Sequence, residues 1–483
     1  MPDASTNPEN ESVGSTILQT FCCNTTLHGV HRIYNSENRL SRLLWVSLLF
    51  TVTGYTCKSL VYTSLRFNSY PHTTLLSVKF PESGALRFPA ITVCPTNIFM
   101  KRKLHLPDSH PDYEKLGLNL TICNETKELR RRFNLTCGEF LLCAGVPIFP
   151  AHNLNCGVNV TTLRSLYTKS WSNVPEQFIK AYSASFKETI VLCRYGLYPC
   201  NMKLFTEQVN NIGRCFSFNN FVGDKKESLL KSFFQTGTLL LVLNANSKEI
   251  TYGHSLTEGF RVIVHDQGTY QGFHGGVRIS PGYMAFVELR QIQTTFLQSP
   301  YKTNCTRRKL TSYSTYTVNG CLDDCFNTLL VENCGCKFLG FPGFSERRTC
   351  TLVDKDCFVQ LFTSVNPDLC NCRPPCETTS FQYELSTSAF PAPNSFLRIN
   401  MSLETQRENL AAVQISYVGM QYEHLEEVPV LSVESLFGEV GGILGLMLGC
   451  SILTVVEVFE LVWWLIYTGF NKRFRRVKQA WAK

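Results

Sequence analysis

The sequence predicts a membrane protein in which two transmembrane helices flank a large, disulfide-rich α+β extracellular domain. Three observations carry this. Two apolar runs lie near the two ends of the chain, one from Leu43 to about Tyr62 and one within Ser432–Tyr467. Each approaches the roughly 20 apolar residues that a helical span needs. Of the 22 cysteines, 18 fall between Cys94 and Cys376, an even and dense set that implies an oxidising compartment and a disulfide framework. Asn-x-Ser/Thr sequons at Asn119, Asn124, Asn134, Asn159, Asn304 and Asn400 sit with them and support exposure to the secretory lumen.

Residues 1–42 read as a polar cytosolic tail ending in Arg39 and Arg42, with no cleavable signal peptide, so the first span itself must direct membrane entry. That span covers 43–65, and Lys58 lies near its far end, where a lysine snorkels to the interface. The domain from 66 to 432 has strand-like segments at FPAITVC, LLLVLNA, FRVIVHD and AVQISYVGMQY. Basic runs at Lys101–Lys103 and Arg130–Arg132 read first as solvated faces, with an acidic ligand as the alternative. The second span, 433–467, has no charge between Val440 and Val456. Gly441, Gly445 and Gly449 recur every four residues, so a helix stacks them on one face for close packing. Glu439, Glu457 and Glu460 bracket that face, and a carboxylate at membrane depth points to an ion path unless it is interfacial. The basic tail 468–483 marks the cytosolic side, which puts both termini in the cytosol.

Cysteines cluster most tightly from 321 to 376, in CLDDC, CGC and CNC with Cys350, Cys357 and Cys376. Short pairs of this kind also bind zinc, but a sequon-bearing segment favours disulfides. The mild net charge of +8 is spread out and leaves no nucleic-acid footprint. The ten histidines are scattered, with no HExxH, GxSxG or phosphate-cradling loop, so the reading is a non-enzyme without cofactor.

These features together resemble the degenerin, epithelial sodium channel and acid-sensing ion channel superfamily from Leu27 onward. TTLHGVHRIY resembles its cytosolic His-Gly motif at His28 and Gly29, FPAITVCP its palm strand, and CLDDCFNTLLVENCGC, GFPG and CNCRPPC its thumb. GCSILTVVEVFE resembles its Gly-x-Ser stretch and the Glu-rich helix that follows. The resemblance implies an ectodomain of palm, finger, β-ball and thumb, with a finger-like region at about 95–192 and a thumb-like region at about 305–376. It implies a trimer, homomeric or mixed with related subunits, around a central amiloride-sensitive, sodium-permeable pore in the plasma membrane.

By the same resemblance, Cys94 pairs with Cys215, Cys193 with Cys200, and the thumb ladder is Cys305–Cys376, Cys321–Cys372, Cys325–Cys370, Cys334–Cys357 and Cys336–Cys350. Cys123, Cys137, Cys143 and Cys156 are left as two bridges of unassigned pairing. Gly449, Cys450 and Ser451 are the implied selectivity filter, where the second helix is interrupted by an extended belt. Glu457 and Glu460 are then carboxylate rings on its cytosolic side. Glu439 lies near the outer mouth, where three copies suit a hydrated Ca²⁺, and Ser435 takes the small-residue position outside the gate. Tyr70 and Tyr301 are the implied aromatic pair at the wrist, beside His72.

The acid-sensing branch has a carboxylate-rich pocket, and crowded carboxylates titrate upward and sense protons. This chain has Tyr252 and Gly253 at the finger side and Phe358, Val359 and Gln360 after Cys357, although Asp354 and Asp356 stay nearby. The expectation is therefore a channel opened by an extracellular ligand, a peptide among the options, or one open at rest. Proton gating through His72 or other groups is the alternative. A non-conducting adhesion or scavenger-type receptor is the alternative of another class.

Overall fold

The computed structural model describes residues 13–111, 123–124, 126–140, 174–210, 213–220, 230–233, 236–250, 257–269, 275–350, 354–364, 366–394 and 401–481. The chain divides into two compact units. One comprises Met1–Thr73, Pro300–Lys302 and Val428–Lys483, and the other Thr74–Ser299 and Thr303–Glu427.

The first unit is helical. The segment 1–42, read from sequence as a polar tail, contains α1 (Val13–Asn24) and α2 (Val30–Tyr34). A 30-residue helix, α3 (Arg39–Asn68), begins where the Asn38 side chain accepts from the Leu40 N–H, and it is long and apolar enough to cross a membrane. It exceeds the expected 43–65 at both ends because the Asn38 cap lies five residues before the apolar run, and the helix closes only at Ser69. Near the C-terminus, α6 (Val433–Leu448) and α7 (Ile452–Trp481) pass the same test as a pair bent by 71°. Helix continues through the expected basic tail as far as Trp481.

The second unit is built on two packed sheets and a short antiparallel pair, β2 (Leu86–Arg87) with β8 (Lys231–Ser232). Five antiparallel strands run in the order β11 (Val277–Ile279), β10 (Phe260–His265), β3 (Ala90–Pro95), β7 (Gly213–Phe218) and β6 (Phe205–Asn210). The eight-stranded sheet runs β1 (His72–Lys79), β15 (Tyr422–Pro429), β12 (Tyr283–Thr295), β14 (Leu410–Tyr417), β9 (Leu239–Asn244), β4 (Ile190–Tyr195) and β5 (Tyr198–Pro199), with β13 (Glu377–Ala389) on β12. Alternate residues of both sheets meet in one core: Ile91, Phe218, Leu241, Val262, Val287 and Val413 are among its fully buried members, joined by Phe88 from just before β3. Each such side chain contributes about 1.5–3 kcal/mol of transfer free energy.

β14 is buried on both faces, since Leu410 and Ala412 pack with Val242 in a second cluster. This is why LAAVQISY reads as nearly unbroken apolar sequence. Of AVQISYVGMQY, residues 412–417 lie in β14; the chain bends at Val418–Met420 and β15 opens at Tyr422, both strands running parallel to β12. β12 and β13 pair along all 13 of their residues, from Tyr283↔Ala389 to Thr295↔Glu377. The chain between them carries a lobe with α4 (Val318–Cys334) and α5 (Lys355–Ser364).

Eight disulfides join described residues, all in the second unit. Cys94–Cys215, Cys193–Cys200, Cys305–Cys376, Cys321–Cys372, Cys325–Cys370, Cys334–Cys357 and Cys336–Cys350 are formed, together with Cys123–Cys137. Cys143 and Cys156 lie outside the described residues, as do Asn119, Asn159, Asn400, Tyr252 and Gly253. Asn124 and Asn134 are exposed, and Asn304 accepts from Arg373.

Candidate functional site: the break in the second apolar helix

The break forms because α6 ends at a glycine and α7 starts at a serine. Gly449 has φ +66°, a left-handed conformation that suits a residue without Cβ, and its N–H reaches the Gly445 carbonyl at 3.0 Å. Two residues on, Ser451 and Thr454 cap the next helix reciprocally. The Ser451 N–H donates to Thr454 Oγ1 at 3.0 Å, and the Thr454 N–H to Ser451 Oγ at 3.3 Å. Cys450 is a half-buried free thiol between them.

The last carbonyls of α6 have no partner within their own helix. One finds its donor far away in sequence: the His28 N–H donates to Leu448 O at 3.0 Å. The His28 ring lies over Gly449, so that a Cβ placed there would stand 2.6 Å from Cδ2 and Nε2. Gly29, at φ +87°, turns the chain into α2. On the other side, Thr26 Oγ1 and Thr454 Oγ1 are 2.5 Å apart, and Thr454 is almost fully buried. Glu457 Oε2 accepts from the Thr25 hydroxyl at 3.1 Å and the Thr26 N–H at 3.2 Å. The His-Gly segment, the break and Glu457 are therefore one hydrogen-bonded site. Sequence reasoning singled out His28, Gly29, Gly449, Ser451 and Glu457 but missed Thr25, Thr26 and Thr454. The readable signal was a hydroxyl three residues after Ser451, at a cap position in an apolar run.

Beyond the break, α1 and α7 enclose a groove of about 510 Å³ whose lining includes Thr20, Phe21, Glu457, Glu460 and Trp464. Toward the start of α6, Ser432 caps the Ser435 N–H at 3.1 Å, Ser435 is exposed and Glu439 half-buried. Gly441 stays within α6, and a Cβ there would meet nothing within 4 Å. At Gly445 it would meet only the Cys450 carbonyl oxygen, at 3.8 Å. Gly449 itself departs from the expected helical face, because it caps the helix instead of lying in it.

The same unit brings three predicted aromatic and imidazole groups together. Tyr70 and Tyr301 meet edge to face at 5.6 Å, and His72 approaches Tyr301 at 6.5 Å. Tyr70 holds φ +48°, an uncommon conformation for a bulky side chain.

This geometry lies within a chain whose residues 21–461 match the model of the amiloride-sensitive sodium channel family. The chain belongs to that family. The human bile acid-sensitive ion channel is 24% identical over 93% of this chain and 85% of its own length. Acid-sensing ion channel 2 of Danio rerio is 27% identical over 95% of this chain and 87% of its own, and the human protein of that name is 26% identical over 96% and 89%. A solved proton-activated chloride channel overlays with a TM-score of 0.32 and 6% identity, a likeness too weak to bear on fold or function. Family membership makes this chain a membrane channel protein of a sodium-conducting family, with terminal helices and a disulfide-rich β unit between them.

In the β unit, α5 packs through an aromatic cluster. Phe358 packs against Phe326, Phe338 and Phe362 at ring distances of 6.1, 5.1 and 5.9 Å. Asp354 is held bidentately by Arg348, with both contacts at 2.6 Å, and Asp356 is exposed.

Proposed function

We propose that this chain is a subunit of a trimeric, amiloride-sensitive, sodium-permeable cation channel of the plasma membrane, with both termini cytosolic. An extracellular ligand, a peptide among the candidates, opens it, or it conducts at rest. The break at Gly449–Ser451, with its 71° bend and its hydrogen bonds to the His-Gly segment, carries this reading. Residues 449–451 of three subunits form the filter, their backbone carbonyls replacing water around the ion. Glu457 and Glu460 supply negative potential on the cytosolic side, which concentrates cations. The open face at Gly441 is consistent with close approach of another subunit. Glu439 of three subunits holds a hydrated Ca²⁺ at the outer mouth; among the described residues no three His, Cys, Asp or Glu side chains of one chain could hold a metal.

The Arg348–Asp354 pair and the Phe358 packing favour ligand gating over proton gating, because among the described residues they leave the α5 region without the crowded carboxylates that sense acid. Acid gating is the second reading, favoured by the acid-sensing relatives and using His72 beside Tyr301. The test is whole-cell current from the chain expressed alone, under acid steps, a peptide library and then amiloride. A peptide-evoked or standing amiloride-sensitive sodium current, with ion preference altered by Ser451→Ala, supports the proposal. A transient acid-evoked current selects the second reading. No current even from Ser435→Phe, where a bulky group is expected to hold the pore open, overturns conduction by this chain alone and leaves assembly with related subunits as the next test.

A further inference from the structure

The β unit contains a cavity of about 500 Å³ between the β6 edge, the Gly268–Thr269 turn, the 312–314 segment, α4 and residues 337–342. That volume suits a small organic ligand. Its chemistry is uneven. Asp324 is buried and satisfied, accepting from the Thr311 hydroxyl at 3.1 Å and the Ser312 hydroxyl at 2.5 Å. Asp323, next to it and half-buried in the cavity wall, accepts from the Tyr313 hydroxyl at 2.5 Å.

Among the described residues no Lys, Arg or His makes an ion pair with Asp323. Lys337 lines the same cavity, but its ammonium donates to the Phe341 and Gly343 carbonyls, both at 3.2 Å. Glu176, at the rim, pairs with Lys180 at 3.4 Å. The wall beside Asp323 is aromatic: Tyr313 and Phe341 meet edge to face at 6.3 Å. A partly buried carboxylate that lacks a cation is costly. Burial pushes the Asp323 carboxyl up to about 6, with the neighbouring Asp324 charge adding to it and the Tyr313 hydroxyl opposing.

We propose that this cavity binds an aromatic primary amine, its ammonium on the Asp323 carboxylate and its ring against Tyr313 and Phe341. The ammonium supplies the cation the site lacks, and the rings supply apolar contact and cation–π attraction. An anionic ligand is disfavoured, because the Lys337 charge is already engaged by two carbonyls. The proposal concerns binding and stands whether or not the ligand opens the channel.

The test uses the full chain in detergent, titrated calorimetrically with tryptamine and with tryptophol, its neutral alcohol analogue. Tryptamine is expected to bind saturably and at least about tenfold more tightly than tryptophol, the scale of a partly buried charge pair. Asp323→Asn should remove that preference, and Asp323→Glu should keep most of it. On the wild-type chain, tryptamine affinity should fall as pH drops through about 6, since protonation removes the partner charge. This pH arm needs no variant, so a misfolded Asp323→Asn chain would not shield the proposal. Equal affinity for the two probes, saturable binding of neither, or an unchanged preference in a folded Asp323→Asn chain would overturn it.

Discussion

Replacing Gly449 with alanine asks whether the helix break depends on the backbone conformation there and on the His28 ring above it. Alanine held at φ +66° costs about 1–2 kcal/mol relative to glycine. The new Cβ would stand 2.6 Å from the ring, closer than real contacts allow, so His28 must move. Its N–H to Leu448 O bond at 3.0 Å is then strained or lost. One lost hydrogen bond adds about 1 kcal/mol. The sum of about 2–3 kcal/mol lowers the equilibrium constant for the intact over the opened site by roughly 30- to 150-fold. Whole-cell current and the thermal midpoint of the detergent-purified chain should both fall. Adding His28→Ala removes the ring and should restore the steric part while leaving the backbone part, so the double variant recovers about 1 kcal/mol. Current and midpoint like wild type in Gly449→Ala, or no recovery in the double variant, would refute this account.

Two further outcomes can be measured on the purified chain. Cys305→Ser with Cys376→Ser removes a bridge of sequence separation 71, but Cys321–Cys372, of separation 51, stays closed inside it, so about 20 residues are freed and the cost should be about 3 kcal/mol by chain entropy, seen as a lower unfolding midpoint; an unchanged midpoint would sink the estimate. Burial holds the His265 imidazole down at about 4 against an ordinary 6.5, although its bond to the Asp266 carbonyl opposes this. As pH falls, the unfolded chain therefore takes up the proton first, and stability present above 6.5 is lost progressively toward 4. His265→Gln should flatten the drop in midpoint between neutral pH and pH 5, and an equally steep drop would show that other groups dominate.

What was legible in the sequence was local. β3 and β10 were readable as short runs rich in β-branched and aromatic residues, and β9, LLLVLN, as a short continuous apolar run. The break at Gly449 was readable through the motif around it. The split between β14 and β15 was not, since Val418–Met420 carries only one glycine and apolar neighbours that continue the strand pattern. α1 was missed because VGSTILQTFCCN has no charge pattern or cap to announce it. Its surroundings also come from α7, more than 400 residues away, and sequence periodicity does not report such a contact. The same separation hid Thr25 and Thr26 as partners of Glu457. Disulfide pairing was not legible from spacing at all, because many connectivities suit one set of cysteines; the resemblance supplied it for fourteen of them.

The lobe between β12 and β13 leaves and rejoins the sheet at Thr295 and Glu377, which face each other as paired residues. To the ribbon the lobe is an oversized hairpin loop, although Thr315 also ties it to the Gly268 turn, and loop length enters the ribbon's stability logarithmically, with each doubling worth about 0.6 kcal/mol. Cys305–Cys376 ties the two chains together just inside that exit. The lobe's length can therefore change without altering the register of the ribbon beneath, while a replacement lobe must keep the hydrogen bonds of Thr315 to the Gly268 and Gln267 carbonyls. A chimera joined just outside Cys305 and Cys376 would trade one lobe for another while Tyr301 stays where it is.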